Sequence, residues 1–223
     1  MSDRERRYDA VVFDLDGTLL DTLSDLTCSA NAAAVKYGFA ERTREEIRSF
    51  VGNGLRRLIQ QMIPEGESDP DFENVYNSFK EHYAVHCMDE TEPYPGIMAL
   101  LDWLKKEGYK TAIVSNKPDF AVKKLKDVYF GELADAAIGD REGYNRKPAP
   151  DSVYQALEEI KVDRDRAVYV GDSDVDIMTA KNAGMDCIAV SWGFRSRDFL
   201  IEHGAEPSRI AANVRELRRI LEG

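Results

Sequence analysis

Asp14 and Asp16 stand two residues apart at the end of the apolar run "AVVFDLD", and side chains at that spacing on an extended strand project to one side. Burial and mutual repulsion both oppose such a pair of charges. Such a pair needs a reason to be there, and an aspartate can serve as a nucleophile. An isolated "DLD" is more often a solvated strand end, so partners elsewhere in the chain decide its meaning.

Three segments supply candidate partners. "AIVSNK" ends in Ser115, Asn116 and Lys117, "YNRKPAP" carries Lys147, and "VYVGDSDVD" carries Gly171, Asp172, Asp174 and Asp176. A carboxylate cluster repels itself and calls for a cation, and carboxylates with carbonyl oxygens suit Mg²⁺ better than softer metals. A lysine and a serine, with the open N–H groups of helix starts, suit the oxygens of a phosphate. That combination fits phosphoryl transfer, which depends on positioning and charge neutralisation.

For these residues to meet, their segments must share an edge. "AVVFDL", "KTAIVS", "RAVYVGD" and "DCIAVSW" have the pattern of buried strands, with a weaker one at "ADAAIGD". Helical patterns separate them: "PGIMALLDWLKKEGY", "DFAVKKLKDVY", "APDSVYQALEEI", "DVDIMTAKNAGM" and "VRELRRILEG". The alternation predicts an α/β fold, a doubly wound, mostly parallel sheet covered on both faces. Strand ends in such a sheet converge on one rim, where ligands bind.

From Thr22 to Met88 the alternation stops and only helix signals remain, among them a capping box of Thr43 with Glu46. The expected division is a core of residues 1–21 and 90–223 and an all-helical insertion of residues 22–89. The two short crossings between them suit the hinges of a lid over Asp14 and Asp16.

Together "DLDGTLLDT", "VSNKP", "RKPAPD" and "GDSDVDIMTAKNAG" resemble the four ordered motifs of the haloacid dehalogenase-like superfamily. The insertion resembles the small helical cap of one subgroup, within which the likeness is strongest to bacterial phosphoglycolate phosphatases. The resemblance implies a Rossmann-like core and a phosphatase in which Asp14 attacks phosphorus and becomes an aspartyl-phosphate. Asp16 would protonate the leaving alkoxide and then take a proton from water. Mg²⁺ would be held by Asp14, the Asp16 backbone carbonyl and Asp172, with Asp176 supporting the metal shell or Lys147. Ser115 and the Asn116 amide would hold phosphate oxygens, and Lys147 would neutralise charge. Gly17 would let the chain turn after the strand, with Thr18 in that turn.

The dehalogenase branch lacks the second aspartate, so Asp16 favours phosphate chemistry. "DTLSDL" resembles a run in phosphoglycolate phosphatases, and Leu26 stands where related sugar-phosphate mutases have a histidine. The expected function is hydrolysis of a small organic phosphate, 2-phosphoglycolate first. A β-phosphoglucomutase-like mutase and a pyrophosphatase are the alternatives within the superfamily. A phospho-accepting signalling receiver is the alternative from another class, disfavoured by Asp16 and by the insertion.

Within the insertion, "VGNGLRRLI" places two glycines around Asn53 at a helix start, followed by Arg56 and Arg57. A helix cap alone would account for the glycines. The stretch also resembles the substrate-facing loop of phosphoglycolate phosphatases, so Asn53, Gly54, Arg56 and Arg57 are expected to set specificity, one arginine gripping a carboxylate. Tyr76, Phe79 and Tyr83 recur at helical spacing and are expected in the core of the insertion. His82 and His86, four apart, lack an evident third ligand and fit a packed or solvated helix face.

In 223 residues, 30 basic side chains face 41 acidic ones, and the net charge of −11 disfavours a sequence-independent grip on nucleic acid or an anionic membrane. No apolar run approaches the length of a membrane span, and "MSDRERRYDA" is too polar for a signal peptide. A cytoplasmic monomer or weak homodimer acting on a small phosphorylated metabolite is expected. Cys28, Cys87 and Cys187 fit neither a disulfide framework nor a zinc knuckle, and are expected as reduced interior thiols.

Overall fold

The computed structural model describes residues 6–223; residues 1–5, half of the segment read as too polar for a leader, lie outside the described residues. The chain divides into two compact units, residues 1–19 with 93–223, and residues 20–92. Along the first part of the chain run β1 (Ala10–Phe13), β2 (Leu20–Asp21), α1 (Leu23–Lys36), α2 (Arg44–Phe50), α3 (Leu55–Met62), α4 (Phe72–His86) and β3 (Glu92–Pro93). There follow α5 (Ile97–Lys106), β4 (Lys110–Pro118), α6 (Asp119–Tyr129), β5 (Ala136–Asp140), α7 (Asp151–Ile160) and β6 (Ala167–Gly171). The chain closes with α8 (Asp174–Ala183), β7 (Asp186–Val190), α9 (Arg197–Glu202), β8 (Ile210–Ala211) and α10 (Val214–Glu222).

The larger unit is built on a six-stranded sheet in the order β5-β4-β1-β6-β7-β8, with every neighbouring pair parallel. Its strands are apolar on both faces because helices cover both. Ala10, Val12, Val114 and Tyr169 pack with Val153, Ala156 and Leu157 of α7 and with Ala180 and Ala183 of α8. Each fully buried valine or leucine of this kind contributes about 1.5–3 kcal/mol over its exposed state. Register fixes the rim: Phe13 pairs with Ile113 on one side and with Val170 on the other, so Asp14, Ser115 and Asp172 follow within two residues of one level of the sheet. Asp119, the first residue of α6, accepts the Gly139 N–H at 2.9 Å and pairs with Lys123 at 2.6 Å, tying that helix to β5.

The α/β sheet expected from the alternation is present. The expected weak strand is β5, whereas α9 and β8 carry too few residues for a periodic signal and were not foreseen. In the smaller unit α1 packs on α4, and Leu58, Ile59, Phe72, Val75 and Phe79 are buried. The Thr43–Glu46 capping box opens α2. Phe79 and Tyr83 stack at 5.5 Å in this interior, while Tyr76 is only partly buried. Asp25 is also buried there, accepting the Glu90 and Thr91 N–H groups at 2.9 and 3.0 Å and the Thr91 hydroxyl at 2.7 Å. All three cysteines are free, but Cys28 is exposed rather than interior. Among the described residues no helix is long and apolar enough to cross a membrane.

Candidate active site

At the sheet rim Lys147 gathers the acids. Its ammonium donates to Asp14 Oδ1 at 2.7 Å and Asp176 Oδ1 at 2.8 Å, and lies 3.0 Å from the Tyr169 hydroxyl. Tyr169 in turn donates to Asp176 Oδ1 at 3.0 Å, and the second Asp176 oxygen accepts the Ser173 N–H at 3.1 Å in a capping box that starts α8. Asp172 Oδ2 accepts the Phe194 N–H at 2.6 Å, and its Oδ1 accepts the Thr18 hydroxyl at 3.2 Å. Lys147 sits in the loop before α7, which the Asn116 side-chain amide braces by donating to the Lys147 carbonyl at 3.1 Å. Asn182 of α8 donates to the next carbonyl, that of Pro148, at 2.8 Å.

One ammonium cannot neutralise three buried carboxylates. Burial, and next the charge of Asp176, raise Asp14 well above the usual carboxylate range against the opposing pull of Lys147. Burial and Asp176 likewise push Asp172 up to about 7. Burial works against the charge of Lys147, but Asp14 and Asp176 outweigh it and keep the lysine protonated. Ligating oxygens of Asp14, Asp172 and Asp176 lie within 4.8 Å of one another, all buried. An all-oxygen set with excess negative charge fits a hard divalent cation such as Mg²⁺.

The two opening aspartates pair with different lysines. β1 ends at Phe13 and the backbone bends at Leu15, so the extended geometry expected through "DLD" stops before the second acid. Asp14 meets Lys147, whereas Asp16 Oδ1 receives the ammonium of Lys117 at 2.6 Å and Oδ2 faces the Ser115 hydroxyl at 3.4 Å. Lys117, a candidate given no role by the motifs, and Tyr169, which they do not single out, thus join the cluster. Gly17, at φ +87°, follows directly, and a Cβ there would stand 2.4 Å from Asp172 Oδ2. Gly193 is close to the same carboxylate, since a Cβ there would stand 2.4 Å from Asp172 Oδ2 and 2.1 Å from the Gly17 carbonyl oxygen. Asp174, the acid left outside the cluster, is partly exposed, 4.0 Å from Arg195.

Asn53, Gly54, Arg56 and Arg57 all belong to the smaller unit. Gly52 and Gly54 both have positive φ, turning the chain around the exposed Asn53 into α3. Arg56 is held by Glu67 at 3.1 Å and Glu73 at 2.6 Å, and lies over the Phe72 and Tyr76 rings at 4.6 and 5.4 Å. Arg57 is exposed and donates to the Gln60 side chain. Asp25 of "DTLSDL" clamps the returning chain with both oxygens, so that run has a structural cause within its own unit.

A family profile described as haloacid dehalogenase-like hydrolase matches residues 11–190, spanning every rim residue from Asp14 to Asp176. The chain belongs to the haloacid dehalogenase-like hydrolases. Phosphoglycolate phosphatase 1 of Pseudomonas aeruginosa is 31% identical over 214 residues, 93% of this chain and 77% of its own length. A Lactobacillus delbrueckii subsp. bulgaricus crystal structure, described as a candidate phosphoglycolate phosphatase, superposes with a TM-score of 0.92 at 38% identity, covering 97% of this chain and 99% of its own. CbbY from Rhodobacter sphaeroides, crystallised with phosphate, gives a TM-score of 0.75 at 27% identity over 95% of this chain and 99% of its own. The hydrolase is therefore an enzyme resembling phosphoglycolate phosphatases, as the motif order predicts.

Proposed function

We propose that this hydrolase is a Mg²⁺-dependent phosphomonoesterase of the cytoplasm, acting on a small organic phosphate, with 2-phosphoglycolate the first candidate. The observation that carries the proposal is the Lys147 ammonium bridging Asp14 and Asp176 beside Asp172. The names of the relatives support the choice of substrate.

In this reading an Asp14 carboxylate oxygen attacks phosphorus, and an O–P bond forms as the ester P–O bond breaks. The departing alkoxide takes a proton from Asp16. Water then gives a proton to Asp16, and its oxygen attacks the aspartyl-phosphate phosphorus, releasing phosphate and restoring both carboxyl groups. Lys147 neutralises Asp14 and the phosphoryl oxygens, with Tyr169 and Asp176 fixing its position. Ser115 and the Asn116 backbone amide hold phosphate oxygens, while Gly17 keeps the turn open beside Asp172. A bound dication would be held by Asp14, Asp172 and the Asp16 carbonyl, with Asp176 tied to Lys147, and supplies positive charge to the cluster and the phosphoryl group. The expected specificity role stays with Asn53, Gly54, Arg56 and Arg57, of which Arg56 is already engaged by two glutamates.

A turnover screen with Mg²⁺ across 2-phosphoglycolate, sugar phosphates, nucleoside monophosphates and pyrophosphate tests this. Many turnovers with a preference for phosphoglycolate are expected. A flat profile would remove that substrate, and one phosphate retained per chain without release would make the protein a receiver.

A further inference from the structure

Lys117 is an ammonium carried into the site by β4 that the proposed reaction leaves without a task. Its side chain is 1% exposed, and a lysine so buried is tolerable only when its charge is matched. The match is Asp16, at 2.6 Å, itself 13% exposed. The Lys117 backbone N–H also donates to Ser115 Oγ at 3.1 Å, and that hydroxyl faces the other Asp16 oxygen at 3.4 Å. One short stretch of β4 therefore addresses both oxygens of the Asp16 carboxyl group, Oδ1 through Lys117 and Oδ2 through Ser115.

We propose that Lys117 is a positioning residue for the proton carrier. By anchoring Oδ1 it leaves Oδ2 on the side of Ser115, where the phosphate is bound, so that Oδ2 is the oxygen that exchanges a proton with the ester oxygen. The inference rests on the reading of Asp16 as proton donor to the leaving group. A lysine that only balances buried charge would act alike on every substrate. One that aims a proton donor acts on substrates whose leaving group needs the proton.

The experiment compares single-turnover alcohol release from 2-phosphoglycolate, whose alkoxide is a poor leaving group, with release from p-nitrophenyl phosphate, whose phenolate departs unprotonated. Asp16→Asn should slow the first at least about a hundredfold and the second far less, since a positioned acid is worth roughly 10²–10⁴-fold. Lys117→Met should show the same asymmetry, about tenfold or more on the alkyl ester and under about threefold on the aryl ester, with KM for both little changed. Lys117→Gln, which keeps a donor, should recover part of the loss, and it carries the comparison should the methionine variant not fold. Equal losses on both esters in the Lys117 variants, with Asp16→Asn still asymmetric, would overturn the positioning role alone. A symmetric loss in Asp16→Asn would overturn the proton-donor reading, and the Lys117 inference with it.

Discussion

The ammonium of Lys147 reaches Asp14 at 2.7 Å across 133 residues of sequence, and the two side chains are 3% and 10% exposed. Breaking a buried pair by removing one partner costs about 3–5 kcal/mol, because the surviving charge stays buried. Lys147→Met leaves both Asp14 and Asp176 without their cation. It should lower the unfolding free energy extrapolated from urea titration by an amount in that range at neutral pH, move the midpoint down with it, and abolish turnover. A midpoint unchanged from the parent would show that the pair contributes nothing to stability.

Asp14→Asn removes the proposed nucleophile and also one of three crowded carboxylates. Turnover should fall by more than about 10³-fold, while the melting temperature holds or rises. Labelled phosphate trapped on the chain by acid quench should disappear in the same variant. Near-normal activity in Asp14→Asn would exclude it as nucleophile.

Divalent cation should relieve the repulsion among Asp14, Asp172 and Asp176. A melting series in Mg²⁺ should rise with concentration, by about 2.7 kcal/mol of added stability at a hundred times Kd. Asp172→Asn should flatten that rise, and chelation should abolish activity until Mg²⁺ is returned. Full activity in chelator would remove the metal from the reaction.

Two carboxylates outside the Asp14–Asp172–Asp176 cluster contribute to the acid limb. The Arg166 guanidinium holds Asp9 below the usual carboxylate range; for Asp119, burial opposes charge, but Lys123 and the Gly139 N–H outweigh it and its pKa also falls. A depressed folded pKa adds stability that is fully present above the unfolded value of about 3.9 and is lost as pH falls through the folded one. Denaturant midpoints should therefore drop below about pH 4. Asp9→Asn and Asp119→Asn should each make that drop shallower, and parent-like slopes in both variants would contradict the assignment.

The arginines of α3 should separate cleanly. Arg56→Ala loses two carboxylate contacts and the cover of Phe72, so its melting temperature should fall with the preference among esters unchanged. Arg57→Ala should leave melting unchanged and shift the ratio of kcat/KM between phosphoglycolate and an uncharged alkyl phosphate by about tenfold, the loss of one charged contact. The reverse pattern would exchange their roles.

Much of the rim was legible because buried parallel strands leave contiguous apolar runs, and their polar endings must then lie together. β5 was faint because alanine and glycine carry little hydrophobic signal, and it forms by pairing with β4. Lys117 stands among the rim candidates without a role because its partner Asp16 lies 101 residues away, and no local pattern records such a meeting. Tyr169 lies inside the apolar run "RAVYVGD", and nothing in that run shows that its hydroxyl meets Asp176. Asp25 was read through a family likeness, whereas its partners return to it 65 residues later.

β1 occupies the middle of the sheet, and Ala10 pairs with both Lys110 and Ala167. Synthesis at 5–20 residues per second delivers the second of those partners on the order of ten seconds after the strand itself. Throughout that wait Val11, Val12 and Phe13 lack their β6 partners on a nascent chain. They are bracketed by Arg4, Glu5, Arg6 and Arg7 before and by Asp14 and Asp16 after, the kind of charged flanks that guard against premature strand pairing. The charges that crowd at the sheet rim in the folded chain therefore also flank its stickiest strand before the fold exists.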